Sequence, residues 1–234
     1  MPDPSSPGTI LLVGASRGLG LAMAERYLQR GWTVVGTVRG ERTKLHGLLG
    51  VHAGRLEIHT ADVTEPDQIE ALRGRLGQRR FDILFVNAGI INEEPDAAAG
   101  TVPDAEFVRV MLTNALGPMR AVEALQDLVP ADGMIGVMSS GQGSVANNTV
   151  GRREVYRGSK AALNSFMRSF AARHAGDPRT MVLMAPGWVR TDLGGPDAPL
   201  AIEDSVPKLI EVLAGLRGGP GLRYVDYLGR TVPW

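Results

Sequence analysis

A glycine-rich turn follows a short aliphatic run near the start of the chain. Residues 9–20 read TILLVGASRGLG, with glycines at Gly14, Gly18 and Gly20. An apolar run, a glycine turn and an amphipathic segment predict a buried strand that leads into a helix. Glycine lets backbone approach a ligand closely, and the free N–H groups at a helix start attract phosphate. By itself, this spacing does not distinguish a phosphate-binding turn from one that binds nothing.

Strand and helix patterns alternate along the rest of the chain. The other predicted strands cover residues 33–38, 56–60, 81–86, 134–138, 180–184 and 222–227. The predicted helices cover residues 19–30, 65–76, 104–128, 155–174 and 201–216. This alternation predicts an α/β fold, a single doubly wound Rossmann-type domain with a parallel sheet of about seven strands and helices on both faces.

The length and the composition of short segments indicate the domain organisation. The chain has 234 residues, which suits one domain over residues 9–234. Residues 1–8 are polar and proline-rich, and we expect a flexible lead-in rather than a signal peptide. A segment rich in glycine and proline near 187–200 is predicted to form a lid over the substrate.

Composition argues against several classes of partner. The 25 basic and 25 acidic residues give zero net charge, so nothing indicates nucleic acid. The chain has no cysteine, which excludes disulfides and thiol catalysis and fits a cytoplasmic protein. No apolar run has the length of a membrane span, and the four histidines form no ligand-spaced cluster, so we predict no metal.

Special residues follow six of the predicted strands. The parallel arrangement places the carboxyl ends of the strands at one edge, where an open α/β sheet forms its ligand crevice. These residues are Gly14, Arg39, Asp62, Asn87, Ser140 and Pro186. Their convergence predicts one binding site at that edge.

Tyr156 and Lys160 lie four residues apart in a predicted helix, so they share one face. A lysine cation beside a phenol favours the phenolate and lowers the phenol pKa. Such a tyrosine can exchange a proton with an alcohol or alkoxide near neutral pH. On spacing alone, a chance pairing of two unrelated side chains remains the alternative.

Several motifs occur together and in a familiar order. They are Gly14–Gly20, Asp62-Val63, Asn87-Ala88-Gly89, Asn114, Ser139-Ser140, Tyr156-Arg-Gly-Ser-Lys160 and Pro186-Gly187. Together they resemble the short-chain dehydrogenase/reductase family over nearly the whole chain. Residues 143–149, 156–164, 186–192 and 229–234 most resemble its C-factor and sniffer-type carbonyl reductase branch.

The resemblance implies roles for three catalytic residues. Tyr156 would be the general acid and base. Lys160 would hold the nicotinamide ribose and keep Tyr156 acidic. Asn114 would anchor a water that links Lys160 to solvent.

The serine that orients the substrate carbonyl is expected to be Ser140, because it closes the fifth strand within a Ser-Ser pair. In the family this serine usually lies thirteen residues before the tyrosine, where this chain has Gly143. Ser139 and Ser144 therefore remain alternatives.

Two arginines favour NADP(H) over NAD(H). Arg39 follows the second strand and Arg17 lies in the first turn, where a cation suits the 2′-phosphate and an acidic residue would suit NAD. Solvated surface arginines are the alternative. The resemblance implies these cofactor contacts: Gly14, Ser16, Arg17, Gly18, Leu19, Gly20, Arg39, Asp62, Val63, Asn87, Ala88, Gly89, Tyr156, Lys160, Pro186, Gly187, Val189 and Thr191.

The combined inferences predict an NADP(H)-dependent oxidoreductase that uses a Ser-Tyr-Lys-Asn site on a small carbonyl or alcohol. The resemblance implies a homodimer or homotetramer. The alternatives are a dinucleotide-binding signalling protein of the C-factor type and an NAD-dependent alcohol dehydrogenase. Arg152, Arg153 and Arg157 flank Tyr156; we expect a solvated cluster, with an anionic substrate as the alternative.

Overall fold

Seven parallel strands form one sheet in a computed structural model that describes residues 7–234. The strands are β1 (Thr9–Val13), β2 (Thr33–Val38), β3 (Leu56–Thr60), β4 (Ile83–Val86), β5 (Met134–Met138), β6 (Thr180–Ala185) and β7 (Gly221–Asp226). Their order is β3-β2-β1-β4-β5-β6-β7, with every neighbouring pair parallel. The lead-in predicted over residues 1–8 lies outside the described residues, apart from Pro7 and Gly8.

Helices cover both faces of the sheet. They are α1 (Gly18–Gln29), α2 (Pro66–Leu76), α3 (Asp104–Met111), α4 (Gly117–Leu125), α5 (Glu154–Arg173) and α6 (Ile202–Leu216). Apolar side chains of α2, α4 and α5 pack on one face and those of α1 and α6 on the other. Because both faces are covered, the central strands β1, β4 and β5 are almost continuously apolar. The predicted α/β fold class is confirmed.

The helix predicted over residues 104–128 is not a continuous α-helix. A π-helical turn at Leu112–Leu116 separates α3 from α4, and a short 3₁₀ turn at Gln126–Leu128 ends the run. Pro118 has no N–H, so the α-helical hydrogen bond to the Asn114 carbonyl cannot form. At Gly117 a Cβ would lie 2.8 Å from Val63 Cγ2, so the helix approaches the end of β3 too closely for a side chain.

Within residues 7–234, none of the helices combines the length and the apolar character that a membrane span requires.

Candidate active site

A cavity of about 510 Å³ opens at the carboxyl ends of the strands. The strand order reverses between β1 and β4, so the connections after these two strands leave the sheet in opposite directions. The cavity is lined by residues after six strands, which include all six positions that the sequence places there: Gly14, Arg39, Asp62, Asn87, Ser140 and Pro186. A volume of this size is typical of a small-molecule or cofactor site.

At the glycine turn, backbone without side chains forms part of the cavity wall. Gly14 and Gly18 have φ angles of +90° and +55°, which side chains disfavour. A Cβ at Gly20 would lie 2.1 Å from the Gly14 carbonyl oxygen. Arg17 precedes α1 without a side-chain cap, so the first N–H groups of this helix are left for a ligand. This geometry fits the pyrophosphate of a dinucleotide.

Two largely exposed arginines flank the glycine turn. Arg17 Nη1 lies 2.7 Å from Asp192 Oδ2, and Arg39 Nη1 lies 3.7 Å from Asp62 Oδ2. Exposed ion pairs of this kind contribute little to stability, so either guanidinium can turn to a stronger anion. The two positive charges fit a phosphate on the adenosine ribose.

Tyr156 and Lys160 lie one turn apart on α5, and both are buried. Lys160 Nζ donates to the Met138 carbonyl at 2.9 Å and lies 5.9 Å from the centre of the Tyr156 ring. Burial lowers the pKa of Lys160 to about 8. Burial also raises the pKa of Tyr156, and the groups that oppose this rise are the Ser140 hydroxyl and the Arg153 charge. Burial outweighs these two effects, so the pKa of Tyr156 is raised rather than lowered as the Tyr-Lys spacing predicts.

Of the three candidate serines, Ser140 is the one whose hydroxyl acts on Tyr156. Its Oγ accepts from the Gln142 amide at 3.1 Å, which leaves the hydroxyl hydrogen to be donated. Ser139 also lines the cavity, but its hydroxyl donates to Asn164 Oδ1 at 2.6 Å. Ser144 donates to the Trp234 carbonyl at 3.2 Å. The geometry therefore favours Ser140.

Asn114 ties the segment that follows β4 to α5. Its side chain accepts from the Ile90 amide at 2.8 Å, and donates to the Ile90 carbonyl at 2.8 Å and to Ser159 Oγ at 2.9 Å. Ser159 in turn donates to the Tyr156 carbonyl at 2.7 Å. A Cβ at Gly89 would lie 3.3 Å from Lys160 Nζ and 3.5 Å from Asn114 Oδ1. The Asn114 NH₂ group is thus fully used by the protein, while Oδ1 accepts one hydrogen bond.

The segment predicted as a lid folds back across the end of β6. Val189 and Leu200 form a parallel bridge, and the Arg190 amide donates to the Leu200 carbonyl at 2.9 Å. The buried Ser205 hydroxyl donates to the Pro186 carbonyl at 2.6 Å and fixes the start of the segment. The Arg17–Asp192 ion pair joins its middle to the glycine turn.

The predicted site residues come together, with two exceptions. All of them line the cavity except Gly20 and Asn114, which pack behind its wall. Three lining residues that the motifs do not indicate are Thr37, Gln142 and Tyr227. Thr37 Oγ1 accepts from the Gly14 amide at 3.0 Å, and nothing in the sequence of β2 marks this role.

Arg153 also lines the cavity, whereas the sequence predicts a solvated cluster for Arg152, Arg153 and Arg157. Arg153 is half-buried and differs from the other two arginines in facing the cavity. Arg152 is exposed, and Arg157 Nε donates to the Arg152 carbonyl at 2.7 Å. The backbone of Arg153 adopts a left-handed conformation, and a periodic pattern carries no signal for that turn.

Comparison with known proteins gives a consistent result. The family model for short chain dehydrogenase matches residues 8–199. The C-signal of Myxococcus xanthus is 39% identical over 155 residues, which are 65% of this chain and 92% of that protein.

Solved structures extend the similarity over the whole fold. A Burkholderia multivorans protein described as a short-chain dehydrogenase/reductase with bound NADP is 62% identical, with a TM-score of 0.96 over 98% of this chain and 100% of that chain. A carbonyl reductase from Pseudomonas aeruginosa PAO1 in complex with NADP is 36% identical, with a TM-score of 0.89 over 98% and 100% of the respective chains.

Proposed function

The chain belongs to the short-chain dehydrogenase family, and we propose that it is an NADP(H)-dependent carbonyl reductase whose site is formed by Asn114, Ser140, Tyr156 and Lys160. It is an oxidoreductase acting on CH–OH or C=O groups. The observation that carries the proposal is one cavity that joins an uncapped glycine turn to a buried phenol beside a serine hydroxyl.

The cofactor end of the cavity suits NADP(H). The relatives from Burkholderia multivorans and Pseudomonas aeruginosa both hold NADP. In this chain Arg17 and Arg39 would bind the 2′-phosphate, and the amides at the start of α1 would bind the pyrophosphate. Lys160 and Thr191 would hold the nicotinamide end. When bound, NADPH supplies the hydride.

The other end of the cavity handles the substrate oxygen. The Ser140 and Tyr156 hydroxyls donate to the carbonyl oxygen as negative charge develops there. Tyr156 then gives up its proton, and the nearby Lys160 cation stabilises the phenolate that remains. A Lys160 pKa of about 8 keeps most of this side chain charged at pH 7.

The similarity to C-signal favours a second candidate, a signalling protein that binds the dinucleotide without turnover. Binding alone does not need a buried tyrosine next to a serine hydroxyl. The reductase is therefore the preferred function.

The test is NADPH oxidation against a panel of aldehydes, ketones and quinones, with the Tyr156→Phe variant beside the natural chain. Removal of the proton donor should lower kcat/KM by about 10²- to 10⁴-fold, since general acid catalysis contributes that much. Calorimetric titration should show that the variant still binds NADPH. A variant with normal turnover would contradict the assigned site, and NADPH binding without turnover of any compound would favour the signalling candidate.

We also propose that the chain is a cytoplasmic homodimer or homotetramer, with residues 9–234 as one domain and 187–200 as its lid. Phe107 on α3, Leu116 in the π-helical turn and Phe166 on α5 are large apolar side chains that are exposed. The three elements that carry them pack against one another, and exposed apolar side chains on adjoining elements support self-association. Light scattering after size exclusion would measure the mass, and a monomer would contradict this part of the proposal.

A further inference from the structure

We propose that the substrate carries an anionic group, most simply a carboxylate, and that Arg153 binds it. This inference rests on the proposed reductase function and names the class of compound that the site takes. It concerns the substrate end of the cavity, away from the arginines that flank the glycine turn.

Arg153 lies beside the catalytic tyrosine and the lid. It immediately precedes α5, on which Tyr156 lies, and its side chain lines the cavity. Its guanidinium carbon is 5.6 Å from the centre of the Trp188 ring, which belongs to the lid. Arg153, Ser140 and Tyr156 all line the same cavity, so a substrate held by the two hydroxyls would share that space with the guanidinium.

Arg153 differs from the other arginines that line the cavity, because it has no carboxylate partner among the described residues. Among the described residues that line it, Arg17, Arg39 and Arg230 each have a carboxylate partner. Arg153 has neither an ion pair nor a hydrogen bond from its side chain within residues 7–234. The cavity therefore offers a guanidinium that no group of the protein neutralises.

Within residues 7–234, Glu154, the next residue in the chain, forms no ion pair with Arg153. The adjacent Glu154 carboxylate accepts from the Ala99 amide at 2.8 Å. Stacking on Trp188 would hold the guanidinium plane while its N–H edge stays available, and this edge matches both oxygens of a carboxylate.

The side-chain amide of Gln142 is a second polar group at the substrate end of the cavity. Its side-chain oxygen is buried and has no hydrogen-bond partner among the described residues, although the side chain lines the cavity. Buried polar atoms rarely stay unpaired in a working site. A polar substrate would satisfy the Gln142 amide, through its oxygen or, after rotation, through its NH₂ group.

The experiment uses pairs of carbonyl compounds that differ only in charge. The probes are acetoacetate, levulinate and para-carboxybenzaldehyde, each beside its neutral methyl ester, with NADPH consumption as the readout. The variant is Arg153→Asn, because asparagine tolerates the left-handed backbone at this position. The matched control is Arg157→Asn, which removes a nearby arginine in the first turn of α5 that does not line the cavity.

For at least one pair, the natural chain should prefer the acid to its ester. Arg153→Asn should lower kcat/KM for the acid by about 10- to 100-fold, the value of one charged hydrogen-bonding pair, mainly through KM. The ester should change less than about threefold, and Arg157→Asn should change neither. Equal losses for acid and ester would overturn the proposal, since Arg153 would then act through Tyr156.

A binding measurement separates this inference from the reductase proposal. The carboxylates are titrated calorimetrically into the NADP⁺ complex of the natural chain and of Arg153→Asn. Saturable binding that the variant loses would support the anion site even if no compound were turned over. If NADP⁺ binds but no carboxylate does, or if only the esters are turned over, the anion site is refuted while the reductase proposal is judged separately.

Discussion

Lys160 is buried, so its protonated side chain is held away from water. Its ordinary pKa is 10.5, and burial lowers the pKa in the folded state to about 8. Between these two pH values the unfolded chain binds more protons at this lysine than the folded chain does. The free energy of unfolding must therefore rise with pH across that window.

This linkage predicts a difference between the natural chain and Lys160→Met. In urea unfolding, deprotonation of Lys160 should raise the natural chain's free energy of unfolding by about 2 kcal/mol between pH 7 and about 9.5. The reason is that the folded chain loses its buried charge over this range. The methionine variant should lack this rise and should be the more stable protein at pH 7. Since other groups titrate equally in both proteins, the difference between the two curves isolates Lys160. If the free energies of unfolding of the two proteins changed in parallel with pH, the folded state would not disfavour the protonated form of Lys160.

Two residues of the site show what could and could not be predicted from the sequence. Ser140 could be preferred from its place at a strand end, because strand ends converge in any parallel sheet. The inward position of Arg153 could not be predicted, since it depends on a φ angle of +57° in one loop residue. The same loop leaves Arg152 exposed, although the two side chains are chemically identical.

At the scale of elements, strands were the most predictable feature. The predicted bounds for β2, β3 and β5 match the structure. For β5 the reason is an uninterrupted apolar run that is buried on both faces. The predicted helix over 104–128 was wrong in its interior. One extra residue in a turn barely alters the spacing of apolar side chains, so periodicity does not detect a π-helical turn.

The π-helical turn gives a prediction of its own. In Asn114→Ala, the Ile90 amide and carbonyl and the Ser159 hydroxyl would lose their buried partner. We expect the free energy of unfolding to fall by about 2 to 4 kcal/mol in denaturant titrations, since unpaired buried polar groups are costly. Val108→Ala, at an exposed position on α3, should change it by less than about 0.5 kcal/mol. Similar values for the two variants would mean that Asn114 does not hold β4 against α5.

At the scale of the whole molecule, the cofactor joins elements on both sides of the strand reversal. NADPH at about 100 times its Kd should stabilise the fold by about 2.7 kcal/mol, because it binds the folded state. For a chain of this size, Tm should rise by about 5 to 10 °C. NADH at the same concentration should raise Tm less, since it has no 2′-phosphate for Arg17 and Arg39.

The Arg39→Asp variant is the control for that comparison. In scanning calorimetry it should lose most of the NADPH shift and keep the NADH shift. An NADH shift as large as that of NADPH in the natural chain would argue against the cofactor preference.

The position of β1 at the strand reversal also affects how the chain is made. Ile10 of β1 pairs with Ile83 of β4, and the two are 73 positions apart in sequence. During synthesis β1 can pair with β2 early, but its other edge stays open until β4 leaves the ribosome. An unpaired apolar strand is a template for aggregation. The geometry that creates the ligand crevice thus gives the nascent chain a period of vulnerability, and chaperones that shield strand edges would act in that interval.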